Sequence, residues 1–259
     1  MKASLHSIFV PSLLIICLIS FTGEAQSQLI VGSKPDIEIR YLTDLPTAGI
    51  LKHGEIAFDT QVAGRGGLMG QLTVGILNRL SIGISYGGIE LLGTGKPHLY
   101  PLPGLFAALR VIDESKSYPA LLIGFDSQGH GSFIDSLKSY EEKSLGVYIV
   151  VSRNYSFLGT MSVHGGANYS FERYDKRTAI NIFGGVEKSI GEFASYVIEY
   201  NAGLNNKGGF GNGGKGFLAT GIWFNLGSGL ACGAAIRDIF RSSPIAQERV
   251  LLFQYVFDL

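Results

Sequence analysis

Apolar and polar residues alternate with period two along most of the chain, from about residue 54 to its end. In 81–86, for example, Ile82, Ile84 and Tyr86 alternate with serine and glycine. Such alternation indicates β-strands with one apolar and one polar face, because successive side chains of a strand point to opposite sides. The pattern predicts about twelve strands, at 54–63, 69–77, 80–92, 105–113, 119–128, 145–152, 161–170, 178–188, 194–203, 215–227, 229–238 and 249–259.

The length and the faces of these segments favour a barrel that crosses a membrane. A tilted strand needs roughly 9–11 residues to span a bilayer, and most of the predicted strands are of that length. Their polar faces carry mostly Gly, Ser, Thr, Asn and Gln, which suits a narrow lumen better than a wet surface. Aromatic residues cluster near strand ends, as in the girdles of transmembrane barrels. We expect an all-β fold, an antiparallel up-and-down transmembrane β-barrel, with a soluble barrel as the alternative.

The connections between the predicted strands alternate in length. From the third connection onward, long links rich in glycine and polar residues are mostly followed by short ones such as Gly-Ser. Bacterial outer-membrane barrels have short periplasmic turns and longer outer loops. With a periplasmic N-terminus, the long connections of this chain fall on the outer side.

Residues 1–25 have the features of a cleaved secretory signal peptide. Lys2 supplies a positive charge, 8–21 is an apolar run, and Gly23 and Ala25 are small residues at the cleavage positions. The apolar run is shorter than the roughly 20 residues of a spanning helix. We therefore expect a signal peptide at 1–25, an N-terminal extension and turn at 26–53, and the barrel at 54–259.

Composition narrows the classes of function. Lys plus Arg and Asp plus Glu number 21 each, so no strongly basic field favours a nucleic-acid partner. Charged residues make up only 16% of the chain, and 36 of its 259 residues are glycine. Cys232 is the single cysteine after the leader, so we expect no intramolecular disulfide, no metal site and no cofactor.

The last strand resembles the signal that outer-membrane insertion machinery recognises. Phe253, Tyr255 and Phe257 alternate with other residues and lead to the terminal Leu259. A closing strand with a lipid-facing stripe would carry the same pattern, and both interpretations require a barrel.

Several charged residues fall on the predicted inner faces. Because charges in a narrow lumen must be paired or hydrated, they form either a plug-like network or the lining of a small pore. Arg110 and Asp126 lie on sequential strands and are expected to be able to pair across the wall. The full set of predicted lumen charges is Glu55, Asp59, Arg110, Asp126, Glu187, Glu199 and Arg237.

One group of residues suggests an enzyme. Asp126, Ser127, His130 and Ser132 lie close together in the sequence, and a base beside a serine hydroxyl can activate it as a nucleophile. His164, on a predicted inner face, is a further candidate base. Such sites are defined by geometry rather than spacing, and a hydrogen-bonded polar residue is the simpler interpretation of each side chain.

A glycine-rich segment, 209–214, has the spacing of a dinucleotide-binding fingerprint. That motif requires a strand before it and a helix after it. Here the segment lies between two predicted strands, which favours a flexible outer loop.

Three segments resemble YjbH-type outer-membrane barrels, a family linked to exopolysaccharide loci. Residues 43–49 followed by 53–57 resemble the family's opening, in which a Pro-Thr-Ala turn precedes a glycine and the first strand. Residues 74–87 resemble its first short hairpin, and 119–129 resemble a later strand-to-loop element. The resemblance implies a barrel with a part in polysaccharide export or the cell envelope, and it implies no catalytic residues.

Together these observations predict a non-enzymatic outer-membrane protein, either a pore or an accessory of polysaccharide export. The alternatives are a lipid-modifying hydrolase that uses Ser127 and His130, and a purely structural barrel. The expected partners are outer-membrane lipids, the barrel-insertion machinery, and polysaccharide or export proteins, with no nucleic acid among them.

Overall fold

A computed structural model describes residues 38–242 and 247–258. The predicted signal peptide and Leu259 lie outside the described residues. The strands are β1 Glu55–Ala63, β2 Gly67–Ile76, β3 Leu80–Ile89, β4 His98–Leu99, β5 Gly104–Ile112, β6 Ala120–Asp126, β7 His130–Ile134, β8 Ser139–Glu142, β9 Gly146–Ser156, β10 Thr160–Tyr169, β11 Asn181–Ile190, β12 Ala194–Asn201, β13 Phe217–Gly227, β14 Leu230–Arg237 and β15 Glu248–Asp258. No helix within these residues is both long and apolar enough to cross a membrane.

Twelve long strands form a closed antiparallel barrel, which confirms the predicted fold. Each long strand pairs with its neighbours in the chain, and β1 pairs with both β2 and β15, so the sheet has no free edge. Three short strands were not predicted. Strand β4 adds to the end of β3, while β7 and β8 form a separate hairpin in the connection between β6 and β9.

The two ends of the barrel differ in the length of their connections, as the sequence predicts. The links 77–79, 113–119, 157–159, 191–193 and 228–229 meet at one end. The links 90–103, 127–145, 170–180, 202–216 and 238–247 meet at the other, together with the short turn 64–66. We call these the short-turn end and the long-loop end. The glycine-rich segment 209–214 belongs to the link after β12 and contains turns rather than a helix.

The outward face of the barrel is apolar and the inward face is small and polar. Ile84 is 56% exposed, whereas its neighbour Ser85 is 2% exposed. The same contrast recurs in β2 between Leu72, which is exposed, and Thr73, which is buried. Exposed aliphatic and aromatic side chains therefore cover the outside of the wall, while hydroxyl and amide groups turn inward.

Residues 38–52 lie inside the barrel. Leu42 and Ala48 are fully buried, and Ile39, Leu45 and Ile50 are nearly so. They contribute to two apolar clusters with inward-facing side chains from opposite parts of the wall. We call 38–52 the lumen hairpin. The sequence predicts an extension and turn here, and it gives no sign that this segment fills the lumen.

Two wall glycines make room for the lumen hairpin. A Cβ atom at Gly75 would lie 2.0 Å from the carbonyl oxygen of Lys52, and one at Gly185 would lie 2.3 Å from Cδ1 of Leu42. Backbone cannot yield as a flexible side chain can, so the position of Gly75 requires glycine while the hairpin is in place.

We predict that Gly75→Ala lowers stability by about 1–3 kcal/mol, because the added methyl group overpacks the contact with Lys52. Gly70→Ala is the matched control on the same strand, since a Cβ there meets only Phe58, at an ordinary 3.7 Å. The measurement is urea unfolding of the refolded barrel in micelles, followed by heat-modifiable gel migration. Equal unfolding midpoints for the two variants would contradict the close contact.

Candidate functional site

The lumen hairpin folds back on itself through backbone hydrogen bonds. The amide of Leu42 donates to the carbonyl of Leu45 at 3.0 Å, and that of Thr47 donates to Arg40 at 2.9 Å. The hydroxyl of Thr47 donates to the carbonyl of Ile39 at 2.6 Å. These bonds satisfy backbone groups that burial removes from water. Residues 42–45 therefore form the tip of the hairpin, while Lys52 lies at the short-turn end, next to Gly75.

The tip binds a carboxylate of the wall. The amides of Thr43, Asp44 and Leu45 donate to the carboxylate of Glu199 on β12 at 3.0–3.2 Å. Successive amides that converge in a turn form an anion-binding concavity, or nest. Glu199 therefore holds the backbone of the tip through its oxygens.

An ion pair anchors the same tip to a second strand. The guanidinium of Arg237 on β14 donates to both carboxylate oxygens of Asp44. Arg237 also contacts Gln61 at 2.8 Å and Glu248 at 3.3 Å. Nε2 of His130, from the long-loop hairpin β7–β8, lies 3.6 Å from Asp44. Asp44 thus connects the lumen hairpin both to the wall and to the outer loops.

Further polar contacts hold the shaft of the hairpin. Arg110 on β5 pairs with Glu38 and donates to the carbonyl of Ala48 at 2.7 and 2.9 Å. Arg40 pairs with Asp59 on β1 at 2.7 Å. Three further hydrogen bonds connect the hairpin to the wall. Trp223 Nε1 donates to the carbonyl of Leu42 at 2.6 Å, and the amides of Ala48 and Leu51 donate to Ser152 Oγ at 2.8 Å and Ser81 Oγ at 3.3 Å.

A cavity lies between the tip and the wall. It measures about 60 Å³, and Tyr41, Gln71, Gln128, Glu142 and Gln254 are among its lining residues. A volume of this size holds a few water molecules. The apolar residues of the hairpin pack against inward-facing side chains of the wall on either side of it.

Five of the predicted lumen charges bind the lumen hairpin between residues 38 and 48. Asp59, Arg110, Glu199 and Arg237 make the contacts described above. Asp126 also meets the hairpin, accepting hydrogen bonds from the Tyr41 hydroxyl at 3.4 Å and the Gln128 amide at 2.8 Å.

The other two predicted charges have different surroundings. Glu187 on β11 is almost fully buried in the wall. Glu55 accepts a hydrogen bond from the amide of Lys52 at 2.7 Å, at the point where the hairpin joins β1.

The expected pairing of Arg110 with Asp126 is wrong. In the antiparallel register, Arg110 lies opposite Leu122, while Asp126 lies opposite Phe106. The two charges are therefore four positions apart along the wall. Each binds a different part of the hairpin instead.

The residues proposed for an enzyme are engaged separately. Ser127 Oγ accepts a hydrogen bond from the amide of Leu105 at 2.8 Å, whereas His130 faces Asp44. Ser132 Oγ accepts from Arg65 at 3.2 Å. A different pair meets in the lumen, since Ser152 Oγ lies 2.8 Å from Nδ1 of His164, but both side chains are at most 1% exposed. Catalysis at either place would need a substrate to reach a serine that is bonded to backbone.

The aromatic residues of the last strand face outward. Phe253, Tyr255 and Phe257 are exposed on the outer face of the barrel, and the rings of Tyr255 and Phe257 stack with centroids 5.4 Å apart. Leu259 lies outside the described residues. The proposal that these three aromatic residues and Leu259 form an insertion signal therefore stays a prediction.

Two titratable groups of the β7–β8 hairpin that interact with Asp44 have shifted pKa values. Burial lowers the pKa of His130 to about 4, against the opposing influence of Asp44. Burial, and secondarily the carboxylate of Asp44, raises the pKa of Glu142 to about 8. At neutral pH both side chains are therefore neutral, and Asp44 and Arg237 remain the charged pair at the tip. No group of three or more His, Cys, Asp or Glu side chains in the described ranges is arranged to hold a metal ion.

Comparisons with known proteins identify similar barrels but no family. No family model and no curated protein matches the chain. Among solved structures, the "KdgM porin" has a TM-score of 0.48 at 12% identity, covering 78% of this chain and 99% of its own. The Acinetobacter baumannii outer membrane protein Omp33 has a TM-score of 0.44 at 9% identity, covering 79% and 97%.

The sequence alone did not identify the charged residues of the hairpin that bind the wall. Glu38, Arg40 and Asp44 precede the first strand, where no periodicity marks a role for them. The available signal was the compact motif at 43–49, which supported the YjbH resemblance and forms the tip and the returning arm. Buried serines such as Ser152 look like ordinary lumen residues in the sequence.

We predict that Asp44→Asn lowers the free energy of unfolding by about 3 kcal/mol, because removing one partner leaves a buried guanidinium without its main counter-ion. Thermal or urea unfolding in micelles measures this. Asp135→Asn is a suitable control, since Asp135 is exposed and, among the described residues, forms an ion pair with the exposed Lys138 alone, at 3.6 Å. Equal losses in both variants would show that the Arg237 contact contributes nothing.

The raised pKa of Glu142 gives a pH dependence with a defined sign. The folded state binds this proton more tightly than the unfolded chain, so stability falls as pH rises from about 4.5 to about 8. We predict that Glu142→Gln flattens this decline, because glutamine does not titrate. Unfolding midpoints at pH 5, 7 and 9 test it, and an unchanged slope in the variant would be the contrary result.

Proposed function

We propose that the protein is an outer-membrane β-barrel that is closed at rest by its own N-terminal lumen hairpin, with a non-enzymatic role in the cell envelope. Passage of a solute would then require the hairpin to move. The observation that carries this proposal is the occupation of the lumen by 38–52, bonded to the wall along its whole length.

The outward face supports a membrane location. Exposed apolar side chains occur on strands all round the barrel, including Phe58, Leu105, Ile149, Ile198 and Leu251. A soluble protein rarely exposes contiguous apolar area beyond a few hundred Å². In a bilayer the same surface contacts lipid chains, and the closed sheet leaves no backbone edge unpaired there. The predicted signal peptide and the arrangement of short turns and long loops support the outer membrane as the location in this proposal.

The contacts of the hairpin support closure with a defined position. Its apolar residues fill two clusters, which supplies most of the favourable burial. Ion pairs buried in this way contribute little net stability, because each charge loses its hydration. They do fix which wall residue each part of the hairpin meets. The pairs of Arg110, Asp59 and Arg237 therefore set the register of the hairpin within the lumen.

Polysaccharide export is a second candidate for the biological role. It rests on the YjbH resemblance, and the residues that carry that resemblance, 43–49, belong to the lumen hairpin. If the hairpin is the common feature, its displacement would be the step that an export partner controls.

Planar-bilayer recording tests the closed state. We predict that the full chain without its leader shows almost no steady conductance, and that deletion of 38–52 produces stable openings, because a twelve-stranded wall encloses more space than its own side chains fill. Heat-modifiable migration verifies that the deletion variant is folded. A steady, ohmic conductance of the intact chain would overturn the proposal.

A double substitution, which perturbs the hairpin less than its deletion, covers the case in which the deletion variant does not fold. Arg110→Gln combined with Asp44→Asn weakens both ends of the hairpin and leaves its apolar residues in place. We expect brief openings in this double variant. Persistent silence in the folded double variant and the folded deletion would instead favour a purely structural barrel.

A further inference from the structure

Three outward-facing residues form a row near the long-loop end. Phe125 on β6 and Tyr169 on β10 both lie opposite Val147, on the intervening β9. The ring of Phe171, just beyond β10, lies 6.2 Å from that of Phe125 and 6.1 Å from that of Tyr169, between centroids. Phe171 is 55% exposed. A compact aromatic patch therefore covers three neighbouring strands at the height where the outer leaflet meets the loops.

A cation is positioned on this patch. The guanidinium carbon of Arg173 lies 4.9 Å from the ring centroid of Tyr169 and 5.6 Å from that of Phe171. Within the described ranges no carboxylate forms an ion pair with Arg173, and its side chain is exposed. Two rings thus hold a planar cation whose hydrogen-bond donors remain available.

The acidic residues of the loop 170–180 and Arg173 have different neighbours. Glu172 accepts hydrogen bonds from the amides of Tyr140 and Ser144 at 2.8 and 2.9 Å, and Asp175 pairs with the buried Lys143 at 2.7 Å. The acidic side chains therefore bind the outer hairpin and the segment that follows it. Arg173 is left as an uncompensated positive charge beside the lipid-facing wall.

We propose that Phe125, Tyr169, Phe171 and Arg173 form a binding site for the phosphate-bearing headgroup of an outer-leaflet lipid. Arginine presents a planar fork of donors that matches phosphate oxygens. Aromatic side chains at the interface accommodate the adjoining apolar part of the lipid. Below the row, the exposed side chains of Ile123 and Ile149 face each other across β6 and β9 and offer a surface to acyl chains.

This inference rests on the proposed membrane location and adds a specific lipid contact to it. Two aromatic rings hold the guanidinium of Arg173 in position, which distinguishes this site from an isolated arginine at the membrane interface. Arg249 on β15 provides the comparison. It is exposed beside the long-loop end, opposite the outward-facing Ile236, and no ring of the described residues is stacked on it.

The experiment uses the folded full-length chain without its leader, in neutral detergent, with lipid A carrying two phosphates as the added lipid. Native mass spectrometry measures the fraction of protein that retains lipid at increasing lipid concentration. We expect Arg173→Gln to weaken retention about tenfold, as for loss of one strong charge-assisted contact. We expect Arg249→Gln, which removes the same charge, to change it less than twofold.

Dephosphorylated lipid A identifies the group that is recognised. The wild-type chain should retain it no better than Arg173→Gln retains the phosphorylated form. Equal effects of the Arg173 and Arg249 substitutions, or equal retention of both lipids by the wild type, would overturn the site. A chain that remains soluble without detergent would instead overturn the membrane location, so the two failures are distinguishable.

Discussion

Closure of the sheet is the constraint on which the rest of the structure depends. A strand at a free edge leaves a row of backbone amides and carbonyls without partners, so every strand needs two neighbours, and the pairing of β1 with β15 supplies the last. A ring of twelve strands encloses more volume than its inward side chains fill. The lumen hairpin occupies that volume. Small inward residues and the wall glycine at position 75 follow from the need to fit a second layer of backbone inside.

The lumen combines two kinds of interaction with different consequences. Apolar clusters around Ile39, Leu42 and Leu45 remove surface from water, whereas the ionic and backbone contacts of Glu199 and Arg237 are directional. Directional contacts select one position for the hairpin, whereas apolar packing alone would allow many positions within the lumen. The tip is therefore fixed beneath the outer hairpin, and a single residue, Asp44, is shared by the wall and the loops.

The barrel could be predicted because its physics is local and repeats along the chain. Alternation in a segment such as 81–86 indicates which face of each strand points out of the barrel, and the lengths of the connections indicate which end each strand reaches. The hairpin was not predictable in the same way, because its apolar residues pack against strands far away in the sequence and follow no period. The inward charges were recognisable on the strands, yet their partners were not. Arg110 and Asp126 illustrate the difference, since neighbouring strands suggested a mutual pair while each binds the hairpin.

The direct connection of the lumen hairpin to β1 has a consequence for biogenesis. The strand that carries the hairpin is also one side of the β1–β15 seam, and β15 ends the described chain. The seam can therefore join only strands at opposite ends of the barrel sequence, after all intervening strands exist. In the closed barrel the hairpin lies on the inner side of this seam, where Ile39 and Leu42 share an apolar cluster with Val250 and Leu252 of β15. The covalent connection to β1 thus keeps the segment that fills the lumen next to the seam whose pairing closes the wall.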